Sequence, residues 1–292
     1  MPHDGVPKTE VSQVHDPVAV ITGPTHGIGR ETAKALAARG YRLILLCRDV
    51  ARGEQVVETL HGDSQVIECE LSDPASVARA GERILRSADR CDVLINNAGI
   101  MTLDREKIGG VDARMAVNHL GHFQLTHLLL PLITGTPASR IVVVASAAHA
   151  SARMNPDDPL GVRENDGGMK AYARSKLANV LFAFALARRL EATDTVCNAL
   201  HPGVVYSNLM HTAGGWVKLF SPLIKPFVLD ERAGARASVH LACAAEAAQV
   251  SGRYHDARGR LCRAAPAATD RNLQERLWCA SEQWLREAQG TV

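Results

Sequence analysis

The chain has 292 residues, 33 of them lysine or arginine against 31 aspartate or glutamate, for a formal net charge of +2. Hydrophobic residues make up 46% and charged residues 22%, an ordinary globular balance that excludes long disorder, since disordered chains lack the apolar surface to offset ordering entropy. The absence of a basic block argues against nucleic-acid binding, and no apolar run reaches the roughly 18 residues of a membrane span.

In chain order, residues 1–16 read as a polar tail without the apolar core of a signal peptide, and 17–292 as one domain. Strands are expected at 18–22, 42–47, 66–68, 92–96, 141–145 and 195–200. Helices are expected near 28–39, 50–60, 74–88, 111–131 and 170–191. The strands are short and rich in Val, Ile and Leu, as a sheet buried on both faces requires. Their alternation with helices implies right-handed crossovers and a doubly wound α/β domain with a mostly parallel sheet. The longest irregular stretches, 148–168 and 208–230, are candidate ligand-contacting loops. Seven scattered cysteines, with no CxxC pair, read as buried or surface thiols of a reducing compartment, hence a cytoplasmic protein.

The first strand runs into Thr22-Gly23-Pro24-Thr25-His26-Gly27-Ile28-Gly29 and then a helix. Glycines let the backbone turn tightly against a diphosphate, and the helix N-terminus offers that anion free N–H groups. Asn96-Asn97-Ala98-Gly99 follows the fourth strand, Ser146 ends the fifth, Tyr172-Ala-Arg-Ser-Lys176 lies on the long helix, and His201-Pro202-Gly203 follows the sixth strand. These motifs, in this order over about residues 17–257, resemble the classical short-chain dehydrogenase/reductase family. Val117-Asn-His-Leu-Gly-His-Phe123, Ser175-Lys-Leu-Ala-Asn-Val-Leu181 and His201-Pro-Gly-Val-Val205 are similar to its retinol dehydrogenase and WW-domain oxidoreductase branch. The resemblance implies a Rossmann-type fold and an oxidoreductase interconverting a carbonyl and an alcohol. Membrane-bound members of that branch carry an N-terminal apolar anchor. This chain is expected to have none, and so no membrane span.

A family member that binds NAD places an acid at the end of the second strand, to accept hydrogen bonds from the ribose hydroxyls. Here Cys47 takes that place and Arg48 follows; a guanidinium matches phosphate oxygens in a fork, which favours NADP(H). A strand ending one residue later would bring Asp49 to the acid position and favour NAD. His26, and more weakly Arg30, would add positive potential. Glu70-Leu71 stands where the family usually has Asp and an apolar residue at the adenine, a departure of one methylene. Asp73 before Pro74 reads as a helix cap. By resemblance, the cofactor would be held by Gly23, Thr25, His26, Gly27, Ile28, Gly29, Arg48, Glu70, Leu71, Asn97, Ala98, Gly99, Tyr172, Lys176, Pro202, Gly203, Val205 and Ser207.

Tyr172 and Lys176 are four apart and share one helix face. A lysine ammonium beside a phenol lowers the phenol's pKa from about 10. The resemblance makes Tyr172 the proton donor, Lys176 its tuner, Ser146 the group holding the substrate oxygen, and Asn118 the residue ordering a water behind Lys176. The serine often found before Ser146 is replaced by Ala145. The long interval from Ser146 to Tyr172 matches the retinol-dehydrogenase-like branch. Eleven large apolar residues in 208–230 suit a lid over a lipophilic aldehyde or ketone, such as a retinoid, steroid or long-chain aldehyde, or else simple cover for the sheet edge. Another reading of the same motifs is a catalytically silent NADP(H)-sensing regulatory protein. The intact Asn118, Ser146, Tyr172 and Lys176 set speaks against it. An extended-type epimerase or dehydratase is disfavoured by the glycine spacing. No metal site is expected: His119, His122 and His127 lack accompanying ligands and read as surface or capping histidines. The stripe Leu177, Val180, Leu181 and Phe184 reads as core or as the family's four-helix contact of a homodimer or homotetramer.

Overall fold

A computed structural model describes residues 16–102, 105–203 and 230–289. The chain opens with β1 (Val18–Thr22), α1 (Gly27–Ala37), β2 (Arg42–Cys47), α2 (Val50–Val57), β3 (Ser64–Glu68), α3 (Pro74–Ser87) and β4 (Val93–Asn96). A two-stranded ribbon follows, β5 (Lys107–Ile108) with β6 (Val111–Asp112), antiparallel. Then come α4 (Ala113–Met115), a π-helical segment (Ala116–Leu120), α5 (Gly121–Thr134), β7 (Arg140–Val144), a 3-10 turn (Ala147–Ser151), α6 (Gly168–Arg189) and β8 (Val196–Leu200). After the undescribed interval the chain forms α7 (Glu231–Cys243), β9 (Tyr254–His255), β10 (Leu261–Cys262) and α8 (Arg271–Gln289).

One eight-stranded sheet has the order β10-β9-β8-β7-β4-β1-β2-β3, parallel except for β10 against β9. Strand residues alternate between two apolar layers. Val20, Ile44, Leu46 and Leu94 face α3, α5, α6 and α8, while Ala19, Ile21, Leu43 and Leu45 face α1, α2 and α7. Burial on both faces explains the unbroken Val/Ile/Leu runs. Strand order reverses between β1 and β4, so the crevice at their carboxyl ends is where such sheets bind ligands.

The expected strands recur with ends shifted by a residue or two, and the doubly wound α/β architecture holds. Asp73 caps α3 as expected, accepting from the Ala75 N–H at 3.0 Å. The expected helix 111–131 is instead a ribbon strand, one α turn, a π segment and a helix. Sequence reading placed nothing after residue 230, where α7, β9, β10 and α8 lie. The helix α8 seals α5 and α6: Trp278 packs edge-on against Phe123 with ring centres 5.1 Å apart, and the Arg189 guanidinium stacks 3.7 Å from its ring. Leu177, Val180 and Leu181 are fully buried within the chain, and Phe184 is half-buried. Among the described residues no helix is long and apolar enough to cross a membrane.

Candidate active site

The glycine segment turns out of β1 and enters α1 with His26 at the N-cap. Its shape depends on an absent side chain: a Cβ on Gly29 would lie 2.1 Å from the Gly23 carbonyl oxygen and 2.5 Å from Asn97 Nδ2. Asn97 Nδ2 donates to the Thr22 and Gly23 carbonyls at 2.8 and 3.2 Å. The asparagine thus braces the loop. Gly27 and Gly29 are buried, Thr25 and Ile28 half-buried, and His26 exposed with Nδ1 3.0 Å from Thr25 Oγ1.

Beneath the loop, Thr22 Oγ1 accepts from the backbone N–H groups of Asn97 and Ala98 at 2.9 and 3.0 Å. With both acceptor directions taken, its proton goes to His122 Nε2 at 2.8 Å, closer than the Ile95 carbonyl at 3.4 Å. His122 must then carry its own proton on Nδ1, which donates to the Asn118 carbonyl at 3.0 Å. Asn118 is clamped at both ends of its side chain. Oδ1 accepts from the Ile100 N–H at 2.7 Å, while Nδ2 donates to the Ile100 carbonyl at 3.1 Å and to Ser175 Oγ at 2.9 Å. The π segment carrying Asn118 is therefore tied to both the glycine loop and α6.

On α6, Tyr172 is 7% and Lys176 4% exposed. Lys176 Nζ donates to the Val144 carbonyl at 3.0 Å and lies 5.9 Å from the centre of the Tyr172 ring. A Cβ on Gly99 would lie 3.2 Å from that ammonium. Ser146, one residue beyond Ala145, caps the 3-10 turn, with Oγ accepting from the Ala148 N–H at 3.2 Å. Burial pushes Lys176 down to about 8 and Tyr172 up, and a hydrogen bond from Ser146 opposes the latter shift. In the chain alone, desolvation of the phenolate outweighs the Ser146 hydrogen bond and holds Tyr172 above its ordinary value.

At the end of β2, Cys47 is buried and Arg48 exposed, with no ion pair among the described residues. Asp49 is half-buried and spent elsewhere: its carboxylate caps α2 through the Arg52 N–H at 3.1 Å and pairs with the Arg52 guanidinium at 3.1 Å. Arg30 adds little free charge, since it pairs with Glu231 at 2.9 Å. The Glu70 carboxylate folds back on its own turn, accepting from Ser72 N–H and Oγ–H at 3.1 and 2.8 Å. Leu71 is buried, and its carbonyl oxygen would sit 2.3 Å from a Cβ on Gly121, so α5 begins in contact with this turn. Pro202 and Gly203 follow β8 and are half-buried. Val205, Ser207 and all but the last residue of the expected lid segment 208–230 lie outside the described residues.

His119 and His122 are core groups, not the surface or capping residues expected, because their helix is enclosed by the sheet, α6 and α8. They are 1% and 2% exposed, and burial pushes them down to about 3 and about 4. His119 Nε2 lies 2.9 Å from Ser281 Oγ of α8. Among the described residues no three His, Cys, Asp or Glu side chains gather as a metal-ligating group. Sequence reading missed the roles of Thr22 and His122. The spacing of His122, one helical turn after Asn118, was the available signal.

A family model described as short chain dehydrogenase matches residues 17–218. The chain belongs to the short-chain dehydrogenase family. It is 40% identical to human retinol dehydrogenase 12 over 283 residues, covering 95% of this chain and 88% of that one. A crystal structure of an uncharacterised protein from Mycobacterium paratuberculosis superposes with a TM-score of 0.75 at 33% identity, covering 92% of this chain and 93% of the other. A 3-ketoacyl-(acyl-carrier-protein) reductase from Brucella melitensis, solved with NADH, superposes with a TM-score of 0.67 at 25% identity, covering 82% and 96%. Membership makes this short-chain dehydrogenase an oxidoreductase acting between alcohol and carbonyl with a nicotinamide cofactor.

Proposed function

We propose that the protein is an NADP(H)-dependent carbonyl/alcohol oxidoreductase for lipophilic substrates of the retinoid or long-chain aldehyde kind. The observation that carries the reading is the convergence of Ser146, Tyr172 and Lys176 at the carboxyl end of β7 and the first turns of α6, together with a glycine loop whose Gly29 leaves no room for a Cβ. Free Arg48 beside a committed Asp49 supports NADP(H) over NAD(H). The apolar composition of 208–230 and the name of the retinol dehydrogenase relative support a lipophilic substrate.

The glycine loop and the α1 N-terminus would hold the diphosphate, Arg48 the 2′-phosphate, and Lys176 the nicotinamide-side ribose. The bound cofactor supplies or accepts the hydride. Ser146 orients the substrate oxygen, and Tyr172 holds the proton that this oxygen gains in reduction. Lys176 and the clamped Asn118 keep the phenol's surroundings cationic and fixed.

The test is Tyr172→Phe, with NADPH consumption followed along a series of aldehydes of rising chain length. NADPH binding should persist while turnover falls by about 10²–10⁴-fold. Wild-type efficiency should climb with chain length by up to about 0.8 kcal/mol per buried methylene. Turnover within a few-fold of wild type would overturn the mechanism; a flat series would overturn the lipophilic substrate alone.

A further inference from the structure

Ser146 is held by more than its own turn. Its carbonyl oxygen accepts from the backbone N–H of His149 at 3.1 Å and lies 2.8 Å from His149 Nδ1. The far ring nitrogen, His149 Nε2, is 3.0 Å from the backbone nitrogen of Ala265, just beyond β10. A backbone N–H can only donate, so Nε2 must be the acceptor and the ring proton must sit on Nδ1. The contact to the Ser146 carbonyl is therefore a real N–H···O bond. Tyr254 of β9 closes the side of the ring, with centres 4.7 Å apart and its hydroxyl 3.3 Å from Nδ1. The imidazole is 2% exposed.

We propose that His149 is a positioning residue for Ser146, a strut whose tautomer and angle are set by the C-terminal segment at Ala265. The inference rests on the reading that Ser146 orients the substrate oxygen. Both acceptor directions of the Ser146 carbonyl point to this one residue, so the backbone under the hydroxyl cannot pivot while the ring is seated. Ala265 sets the ring, the ring sets the serine, and the antiparallel β9–β10 edge becomes part of the foundation of the site. Neither His149 nor Ala265 needs to touch substrate for this.

Two substitutions separate the ends of the strut. His149→Asn places an amide N–H near the Nδ1 position and keeps the bond to Ser146. His149→Gln places an amide oxygen near the Nε2 position and keeps only the bond from Ala265. The full-length protein is assayed with NADPH and decanal. The Gln variant should lose kcat by about 10²-fold, the cost of misplacing a reacting group by roughly 1 Å, with the KM for decanal and the Kd for NADPH little changed. The Asn variant, which keeps the bond to Ser146 but loses the Ala265 anchor, should lose kcat by only about tenfold, as Ala265→Pro should. Added to Ser146→Ala, His149→Gln should cost nothing further. Equal losses in the Asn and Gln variants, or an undiminished Gln effect in the Ser146→Ala background, would overturn the proposal. Wild-type turnover by Ser146→Ala alone would overturn the reading of the site, and this inference with it. Should His149→Gln fail to fold, Ala265→Pro removes the same anchoring N–H at a φ of −57° that proline adopts. Its expected result is a lowered kcat with unchanged far-UV dichroism; unchanged kcat would count against the strut. In the wild type, nitrogen-15 spectra should place the His149 proton on Nδ1, and an Nε2–H tautomer would overturn the assignment.

Discussion

Replacing Thr22 with valine keeps the shape of a residue that is 1% exposed and removes its hydroxyl. The loss falls on three partners. The Asn97 N–H retains a bond to the Ile95 carbonyl at 3.0 Å, but the Ala98 N–H and His122 Nε2 lose the oxygen that met them at 3.0 and 2.8 Å. Each buried polar group left unpaired costs about 1–3 kcal/mol, more for the enclosed imidazole than for the half-buried N–H, so about 2–4 kcal/mol is expected. That is a large share of the roughly 5–15 kcal/mol holding a typical domain together. Thr22→Ser, which keeps the hydroxyl and drops a methyl, should cost only about 1 kcal/mol. Urea unfolding followed by far-UV dichroism measures both. NADPH affinity should fall in the valine variant, since Asn97 and Ala98 carry the brace of the glycine loop. A valine variant no less stable than the serine one would refute the hydroxyl's place as the hub between loop and π segment.

Arg48→Ala should weaken NADPH by about 1.5–3 kcal/mol, or roughly 10–100-fold in Kd, and leave NADH unchanged; equal effects on both, read by titration, would end the NADP(H) assignment. Gly99→Ala would place a methyl 3.2 Å from Lys176 Nζ and 3.4 Å from Asn118 Oδ1. Displacing the ammonium by a few tenths of an ångström should lower kcat roughly tenfold at unchanged dichroism, and an unaltered kcat would show that Lys176 tolerates the shift. His119 has a folded pKa of about 3 against 6.5 in the unfolded chain. Between those values the unfolded chain binds a proton the folded one does not, so stability is full above pH 6.5 and is lost as pH falls. By pH 5 this histidine alone costs about 2 kcal/mol. His119→Gln, which keeps a donor toward Ser281, should flatten the difference in urea midpoint between pH 7 and pH 5, and equal slopes would refute it.

The motifs were legible because each is local. Glycines at 23, 27 and 29, the Asn97-Ala98-Gly99 turn and the Tyr172/Lys176 pair are each a short run of sequence, recognisable by spacing even though their partners in the fold are distant. The buried strands were legible from their apolar runs. What escaped reading depends on distant partners. His119 meets Ser281, 162 positions on, and His149 meets Ala265, 116 positions on. Nothing local marks such histidines as core groups. Asp49 was ambiguous in sequence because a strand end is uncertain by a residue, and the structure places it as the α2 cap through its bond to Arg52. α8 was within reach: Leu273, Leu277, Trp278 and Trp284 form a stripe at helical spacing, and the structure buries Leu273, Leu277 and Trp278.

That stripe also fixes what light can report. Of the three tryptophans, Trp278 and Trp284 both ride on α8, while Trp216 lies outside the described residues. The Trp278 indole is wedged beside Phe123, Phe182 and the His127 ring, and Trp284 Nε1 donates to the Gly109 carbonyl at 2.9 Å. Emission from these two indoles follows the seating of one C-terminal helix, not the state of the cofactor crevice. In a Trp216→Phe variant, an unfolding curve drawn from fluorescence that runs ahead of the dichroism curve therefore records α8 leaving α5 and α6 before the bulk of the secondary structure is lost.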